Sequence, residues 1–264
     1  PLRRLVLAGF VGFVLFSTVL ADTLPGRALL FGFRGMGTTA GTGFRAEDGH
    51  PSLYRPGKHI DVFDGSAPFD ASSGCTGSFV VQRFGQDYGL TAKHCGDVGS
   101  EVWLGRYGGE ATRLGKLEYV AESTDAAMFP VGTTAGDVWA DDVPMRVSGM
   151  IPERDLAVGV KLFQHGSTTG RQVLGSVAGR TDDGMWCMTI GPDDVHHGDS
   201  GGPVYTYAPD GSVLAVGIII SSAESAVTGR PATCFVSIDR ALRQLSARLK
   251  VRDPEGRARY VAPV

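Results

Sequence analysis

"HHGDSGGPVY", residues 196–205, sets a single serine between an aspartate and two glycines, directly after a pair of histidines. The fold turns on whether Ser200 is a nucleophile or part of a surface turn. Glycine abundance favours the turn, because 38 of the 264 residues are glycine and Ser-Gly pairs commonly mark turns. A nucleophile needs a base beside it, since a serine hydroxyl is barely ionised at neutral pH. The chain has six histidines, His50, His59, His94, His165, His196 and His197, and all of them precede Ser200. Any base therefore comes from upstream.

That order argues against the α/β-hydrolase arrangement, although Gly198-Asp199-Ser200-Gly201-Gly202 fits G-x-S-x-G, because there the acid and the histidine follow the serine. His94 ends the apolar run "GLTAKHCG" (89–96) beside Cys95, and a crosslinked loop would hold a base ready for proton transfer. His50 and His59 lie in an irregular arm and read as solvated. His196 and His197 adjoin the serine on a tight turn, from which a neighbouring ring does not reach back to Oγ, so they read as loop polarity. A His-His-Asp-Asp metal site is the weaker alternative there. The carboxylate that would orient His94 is Asp125, at the head of the apolar run in "ESTDAAMFPV" (122–131). Asp97, Asp137, Asp141 and Asp142 sit in polar loops and read as solvated charges.

The totals narrow the function classes. A net charge of −3 provides no basic field to hold nucleic acid. At the N-terminus, Arg3 and Arg4 precede a polar-free run from Leu5 to Phe16 and then Val19-Leu20-Ala21, a secretory-signal pattern with cleavage expected after Ala21. An uncleaved membrane anchor over 5–20 is the alternative. Export permits disulfides, and four cysteines allow three pairings. Cys75–Cys95 with Cys187–Cys234 is preferred, because each bridge then closes a loop within one half of the chain. No Cys-x-x-Cys spacing supports zinc.

Residues 22–70 are rich in Gly, Arg and Pro without sustained periodicity, and read as an arm or short propeptide. From Cys75 onward short apolar or alternating runs recur between turn signals, which argues for an all-β sandwich or barrel. The stretch "DDVPMRVSGMIPERD" (141–155) divides these runs into two groups and reads as a linker. The expected organisation is a signal at 1–21, an arm at 22–70, a first β unit at 71–145, a second at 146–250 and a tail at 251–264. One helix is expected in "SIDRALRQLSARLK", where Leu242, Leu245 and Leu249 recur at i, i+3 and i+7 and Ser237 or Asp239 is the N-cap.

With His94, Asp125 and Ser200 assembled, residues 70–250 resemble the chymotrypsin-like serine peptidases, in particular the secreted bacterial branch of streptogrisins and α-lytic protease. Four stretches carry the resemblance: "CTGSFVVQ…GLTAKHC", "DAAMFPV", "HGSTTGRQVLGSV" and "GDSGGPVY". It implies two six-stranded antiparallel barrels with a C-terminal helix, and His94, Asp125 and Ser200 in the cleft between them. It further implies an oxyanion hole made by the backbone N–H groups of Gly198 and Ser200, an acyl-enzyme mechanism, no cofactor, a protein or peptide substrate, a monomer and an extracellular location.

Several positions depart from that pattern. Lys93 replaces the small residue usual before the histidine, and Gln164 and His165 stand where the branch carries an arginine that balances the aspartate before the serine, here Asp199. No Ile-Val-Gly-Gly-like terminus is present for trypsinogen-style activation. Cys187 lies thirteen residues before Ser200, farther than is usual. Asp194, six before Ser200, stands where a trypsin-like enzyme has its pocket-floor acid, and an exposed "GPDD" turn is the other reading. The opposite pocket wall is expected from Ile220, Ser221 and Ser222. Ile219 stands where glutamate-specific relatives carry histidine, which argues against glutamate specificity. The competing functional reading is an inactive, peptidase-like binding or scaffolding protein.

Overall fold

The computed structural model describes residues 54–64, 74–105, 112–132, 134, 136–224 and 230–264, all within one compact unit that begins at Gly43. The expected signal segment and the arm up to residue 53 lie outside the described residues. The regular structure of the described chain is mainly β-strand with one α-helix, and that helix is not long and apolar enough to cross a membrane.

The first half contributes β1 (His59–Phe63), β2 (Gly74–Thr76), β3 (Val80–Arg83), β4 (Gln86–Ala92), β5 (Glu101–Leu104), β6 (Thr112–Lys116), β7 (Tyr119–Ala121) and β8 (Ala126–Pro130). Two more strands, β18 (Arg248–Arg252) and β19 (Ala258–Val261), return to it from the far end of the sequence. These ten strands form two sheets, ordered β2-β1-β5-β6 and β19-β18-β3-β4-β8-β7. The larger sheet is buried on both faces. Val80, Ala127 and Phe129 face Ile60 and Val102 of the smaller sheet, while Val81, Leu90 and Met128 face the second half. Burial on both faces explains why "SFVVQ" and "AAMFPV" read as continuous apolar runs rather than alternating ones.

The second half closes. It comprises β12 (Lys161–His165), β13 (Gln172–Arg180), β14 (Trp186–Thr189), β15 (Pro203–Tyr207), β16 (Val213–Glu224) and β17 (Pro231–Ser237). The order β16-β15-β12-β13-β14-β17 returns to β16 through antiparallel pairing, giving a six-stranded barrel. Its interior holds Leu162, Val177, Met188, Val204, Val216, Ile219 and Phe235. Of the two barrels expected, the described residues thus form one closed barrel, and the first half is two packed sheets. The stretch read as a linker contains β10 (Val143–Met145), paired with β9 (Val138–Ala140), and β11 (Val147–Met150), which runs parallel on the outer edge of β16.

Two further expectations change. The helix α1 spans Ile238–Leu245, capped by the Ser237 hydroxyl accepting from Arg240 N–H at 3.1 Å, and it stops at Ser246 in the left-handed region. Leu249 belongs to β18 instead. It continues the leucine periodicity because helix and strand bury their apolar residues in the same core between the halves. The segment 251–264 is likewise no free tail but the end of β18 and the whole of β19. Cys75 is bonded to Cys95 and Cys187 to Cys234, the pairing preferred from the sequence.

Candidate active site

His94 occupies a single 3-10 turn, Lys93–Cys95, at the end of β4. The register of β4 with β8 pairs Ala92 with Ala126, so the turn arrives beside Asp125. Asp125 grips it at two points: Oδ1 accepts from the His94 backbone N–H at 2.8 Å, and Oδ2 lies 2.6 Å from Nδ1. A carboxylate only accepts, so Nδ1 carries the hydrogen and Nε2 is left as the proton acceptor. Asp125 itself has φ +47°, a left-handed conformation that Asp tolerates better than most residues. The turn before it is braced from α1, where Gln244 Oε1 accepts from Thr124 Oγ1 at 3.0 Å and Arg240 donates to the Ser123 carbonyl. The Lys93 ammonium is held by Glu122 at 3.3 Å and Asp97 at 3.6 Å, and Glu122 above all holds its pKa above the ordinary value. Its charge is therefore answered next to the histidine.

Ser200 is brought to the same place by backbone links rather than by its side chain. Its carbonyl accepts from Thr76 N–H at 2.8 Å, directly after Cys75, whose disulfide partner follows His94. A Cβ on Gly201 would collide with the Thr76 carbonyl and the Thr91 hydroxyl, so glycine is what lets the serine turn press against the end of β4. Ser200 Oγ lies 3.5 Å from the Ile220 carbonyl, its hydrogen-bond partner among the described residues.

Asp199 is 1% exposed, and its carboxylate is answered without an arginine. Oδ1 accepts from the backbone N–H groups of Thr168 at 3.0 Å and Thr169 at 2.9 Å. Oδ2 accepts from His196 N–H at 2.8 Å and from the Thr169 hydroxyl. Burying an unpaired charge is costly, and four donors remove that cost. Gly166 makes room, since a Cβ there would strike the Asp199 carboxylate. The turn 196–199 is closed by Asp199 N–H donating to the His196 carbonyl at 3.1 Å, with Gly198 at φ +96° in its third position, as a type II turn requires. Among the described residues the N–H groups of Gly198 and Ser200 donate to no protein acceptor. The Gly198 carbonyl is held from below by the Thr76 hydroxyl at 2.7 Å.

The expected pocket residues are placed as follows. Asp194 is engaged at both oxygens, by Arg171 at 2.6 Å and by Gly191 N–H at 2.8 Å, and its carbonyl accepts from Gln164 Nε2 at 2.8 Å. Ile220 buries its side chain in the core between the halves and turns its carbonyl to Ser200. Ser221 is half-buried on β16, and the Ser222 side chain lies outside what is described. Ile219 faces the barrel interior. His196 and His197 are exposed. Among the described residues no cluster of His, Cys, Asp or Glu could hold a metal ion. The sequence reading missed Thr76, whose hydroxyl fits no motif, and the use of "GSTTG" as a cradle for Asp199, although the motif itself was visible. It also missed His59, which is no solvated arm residue: it sits in β1, four-fifths buried, against Asp61.

No protein-family model matches the chain, and a search of curated proteins returns no match. Solved structures do match. The chain has the chymotrypsin-like fold. A glutamic acid-specific serine protease reported to use a histidine triad in substrate binding superimposes with a TM-score of 0.57 at 20% identity, covering 74% of this chain and 100% of that one. Protease A of Thermobifida fusca gives 0.54 at 22% identity, covering 75% and 98%. The Nocardiopsis protease gives the same values. His94 and Asp125 stand in the first half and Ser200 in the second, where Thr76 N–H joins the two by donating to the Ser200 carbonyl.

Proposed function

We propose that this protein is an exported serine endopeptidase that cleaves peptide bonds through an acyl-enzyme. In this reading Ser200 Oγ attacks the substrate carbonyl and His94 Nε2 takes its proton. Asp125 keeps the imidazole in the required tautomer and supports the positive charge that forms. The N–H groups of Gly198 and Ser200, which have no acceptor among the described residues, stabilise the oxyanion, a contribution of order 10²–10³ in kcat per donor. His94 then returns its proton to the leaving amine, and water repeats the sequence on the acyl-enzyme. These residues complete the reaction with no cofactor.

The two-point grip of Asp125 on His94 carries the proposal, because it fixes the ring's tautomer and its place at once. The substrate is a protein or peptide, as for the serine proteases that share the fold. Two disulfides agree with an extracellular location. The test is fluorophosphonate labelling of the mature protein with a peptide-library cleavage profile. Labelling and cleavage that vanish in Ser200→Ala support the proposal, and hydrolysis unchanged by that substitution sinks it. Mass spectrometry of the exported product reads whether cleavage follows Ala21.

One observation favours the binding or scaffolding alternative: Ser200 Oγ bonds the Ile220 carbonyl rather than His94. In unliganded sites such bonds are often long and tighten only with substrate. A wild-type protein that neither labels nor cleaves, while retaining its fold, establishes that alternative.

A further inference from the structure

Thr76 stands between the strand that ends at His94 and the turn that carries Ser200, and each of its polar atoms is engaged there. It is the last residue of β2 and is fully buried. Its backbone N–H donates to the Ser200 carbonyl at 2.8 Å, and its hydroxyl lies 2.7 Å from the Gly198 carbonyl. Its own carbonyl accepts from the Thr91 hydroxyl at 3.1 Å, and Thr91 is a fully buried residue of β4, the strand that leads to His94. Gly198 and Ser200 are the residues whose N–H groups have no acceptor among the described residues, and Thr76 holds the carbonyls of both.

The hydroxyl of Thr76 has one proton and two lone pairs. One lone pair accepts the Ser167 backbone N–H at 2.9 Å. The proton has two acceptors in reach, the Gly198 carbonyl at 2.7 Å and Ser167 Oγ at 2.9 Å. Given to Ser167, it would leave the Gly198 carbonyl with Ser167 Oγ at 3.5 Å as its remaining donor among the described residues. Given to Gly198, it satisfies that carbonyl, and Ser167 Oγ can donate to the second lone pair of Thr76. The second arrangement leaves no group unpaired and is therefore the favoured one. A bond at Ser200 alone would be a pivot. The bond at Gly198, two residues earlier, supplies a second point and fixes how the segment 198–200 is turned against β2. The cradle around Asp199 ties this segment to the second half, and Thr76 ties it to the first, where His94 stands. We propose that Thr76 is a positioning residue that registers Gly198 and Ser200, and with them the oxyanion N–H groups, against His94. The proposal rests on the serine peptidase reading.

The experiment compares wild type, Thr76→Val, Thr76→Ser and Ser167→Ala, with active molecules counted by fluorophosphonate titration. Thr76→Val keeps the backbone bond to Ser200 and the side-chain shape, and removes the hydroxyl alone. Its kcat per titrated site is expected to fall about tenfold, less than the loss of a whole oxyanion donor, with KM within about twofold. A peptide aldehyde, whose hemiacetal oxygen takes the oxyanion position, should bind it more weakly by a similar factor. Thr76→Ser, which restores the hydroxyl, should recover the rate to within about threefold of wild type. Ser167→Ala removes the rival acceptor and keeps the Ser167 N–H, so its kcat should not fall. Titration counts folded sites only, and Thr76→Ala takes the place of Thr76→Val if that variant yields none. If the variant without the hydroxyl turns over like wild type, or if Ser167→Ala loses as much as it does, the positioning role is overturned while the peptidase reading stands. If wild type itself does not label, both fall together.

Discussion

Thr169 donates its backbone N–H to the Asp199 carboxylate at 2.9 Å, at the tip of the hairpin that joins β12 to β13. Donors of the peptide backbone thereby do what a cation would otherwise do for a buried acid next to Ser200. Asp199→Asn puts an amide N–H₂ against one pair of these donors. The expected cost is about 1–3 kcal/mol from the urea midpoint, with the labelling rate falling about 10²-fold as the turn loses its anchor. Thr169→Val, which keeps both backbone donors, costs less on both measures.

Asp125→Asn retains the fold and shape but lets the ring choose the wrong tautomer, with Nε2 protonated and unable to take the Ser200 proton. The expected loss is about 10⁴ in kcat, the size that the wrong histidine tautomer costs a Ser-His-Asp triad. Thermal melting should move by only a few degrees, and a rate unchanged within tenfold would contradict the assignment of His94 as base.

The two disulfides should separate stability from catalysis. Replacing Cys75 and Cys95 by Ser removes a bridge of sequence separation 20, worth about 3 kcal/mol on the chain-entropy account. Replacing Cys187 and Cys234 removes one of separation 47, worth about 4 kcal/mol. Only the first bridge lies between Thr76 and His94, so only its loss should lower kcat per titrated site. Denaturant midpoints and active-site titration read the two effects separately.

Acid should destabilise the fold through His165. Burial above all pushes its pKa below the ordinary value, and Nδ1 has no partner among the described residues. Lys58 pushes it the same way, while Asp141 and Asp199 oppose. The unfolded chain therefore takes up a proton near pH 6.5 that the folded chain refuses. Stability is full above that pH and is lost as the pH falls towards the lowered folded value, by at most about 1.4 kcal/mol per pH unit. His165→Gln should flatten this part of the pH–stability curve measured by urea unfolding.

What the sequence made legible was chemistry with a strict order. Six histidines before Ser200 forced the base upstream, Asp125 stood out by heading an apolar strand, and the disulfides followed from closing loops within each half. What it hid was anything made by backbone or by distant partners. The donors of Thr168 and Thr169 are identical to those of any peptide, so the acid they answer looked unbalanced. In β1 the alternation of Ile60 and Val62 was masked by the polar His59 and Asp61, which pair with each other. At α1 the leucine spacing ran on into a strand, because one core collects apolar residues from both elements.

The pairing of β3 with β18 joins Gln82 to Arg248 and Val81 to Leu249. A nascent chain that has emerged only as far as α1 has every residue of the His94–Asp125 pair, yet its larger sheet still ends at an unpaired β3. Such an edge invites association with other chains until β18 arrives to cover it. Completion of the larger sheet thus waits until residues 248–252 have followed α1, and a product cut short before them leaves β3 uncovered and prone to aggregate.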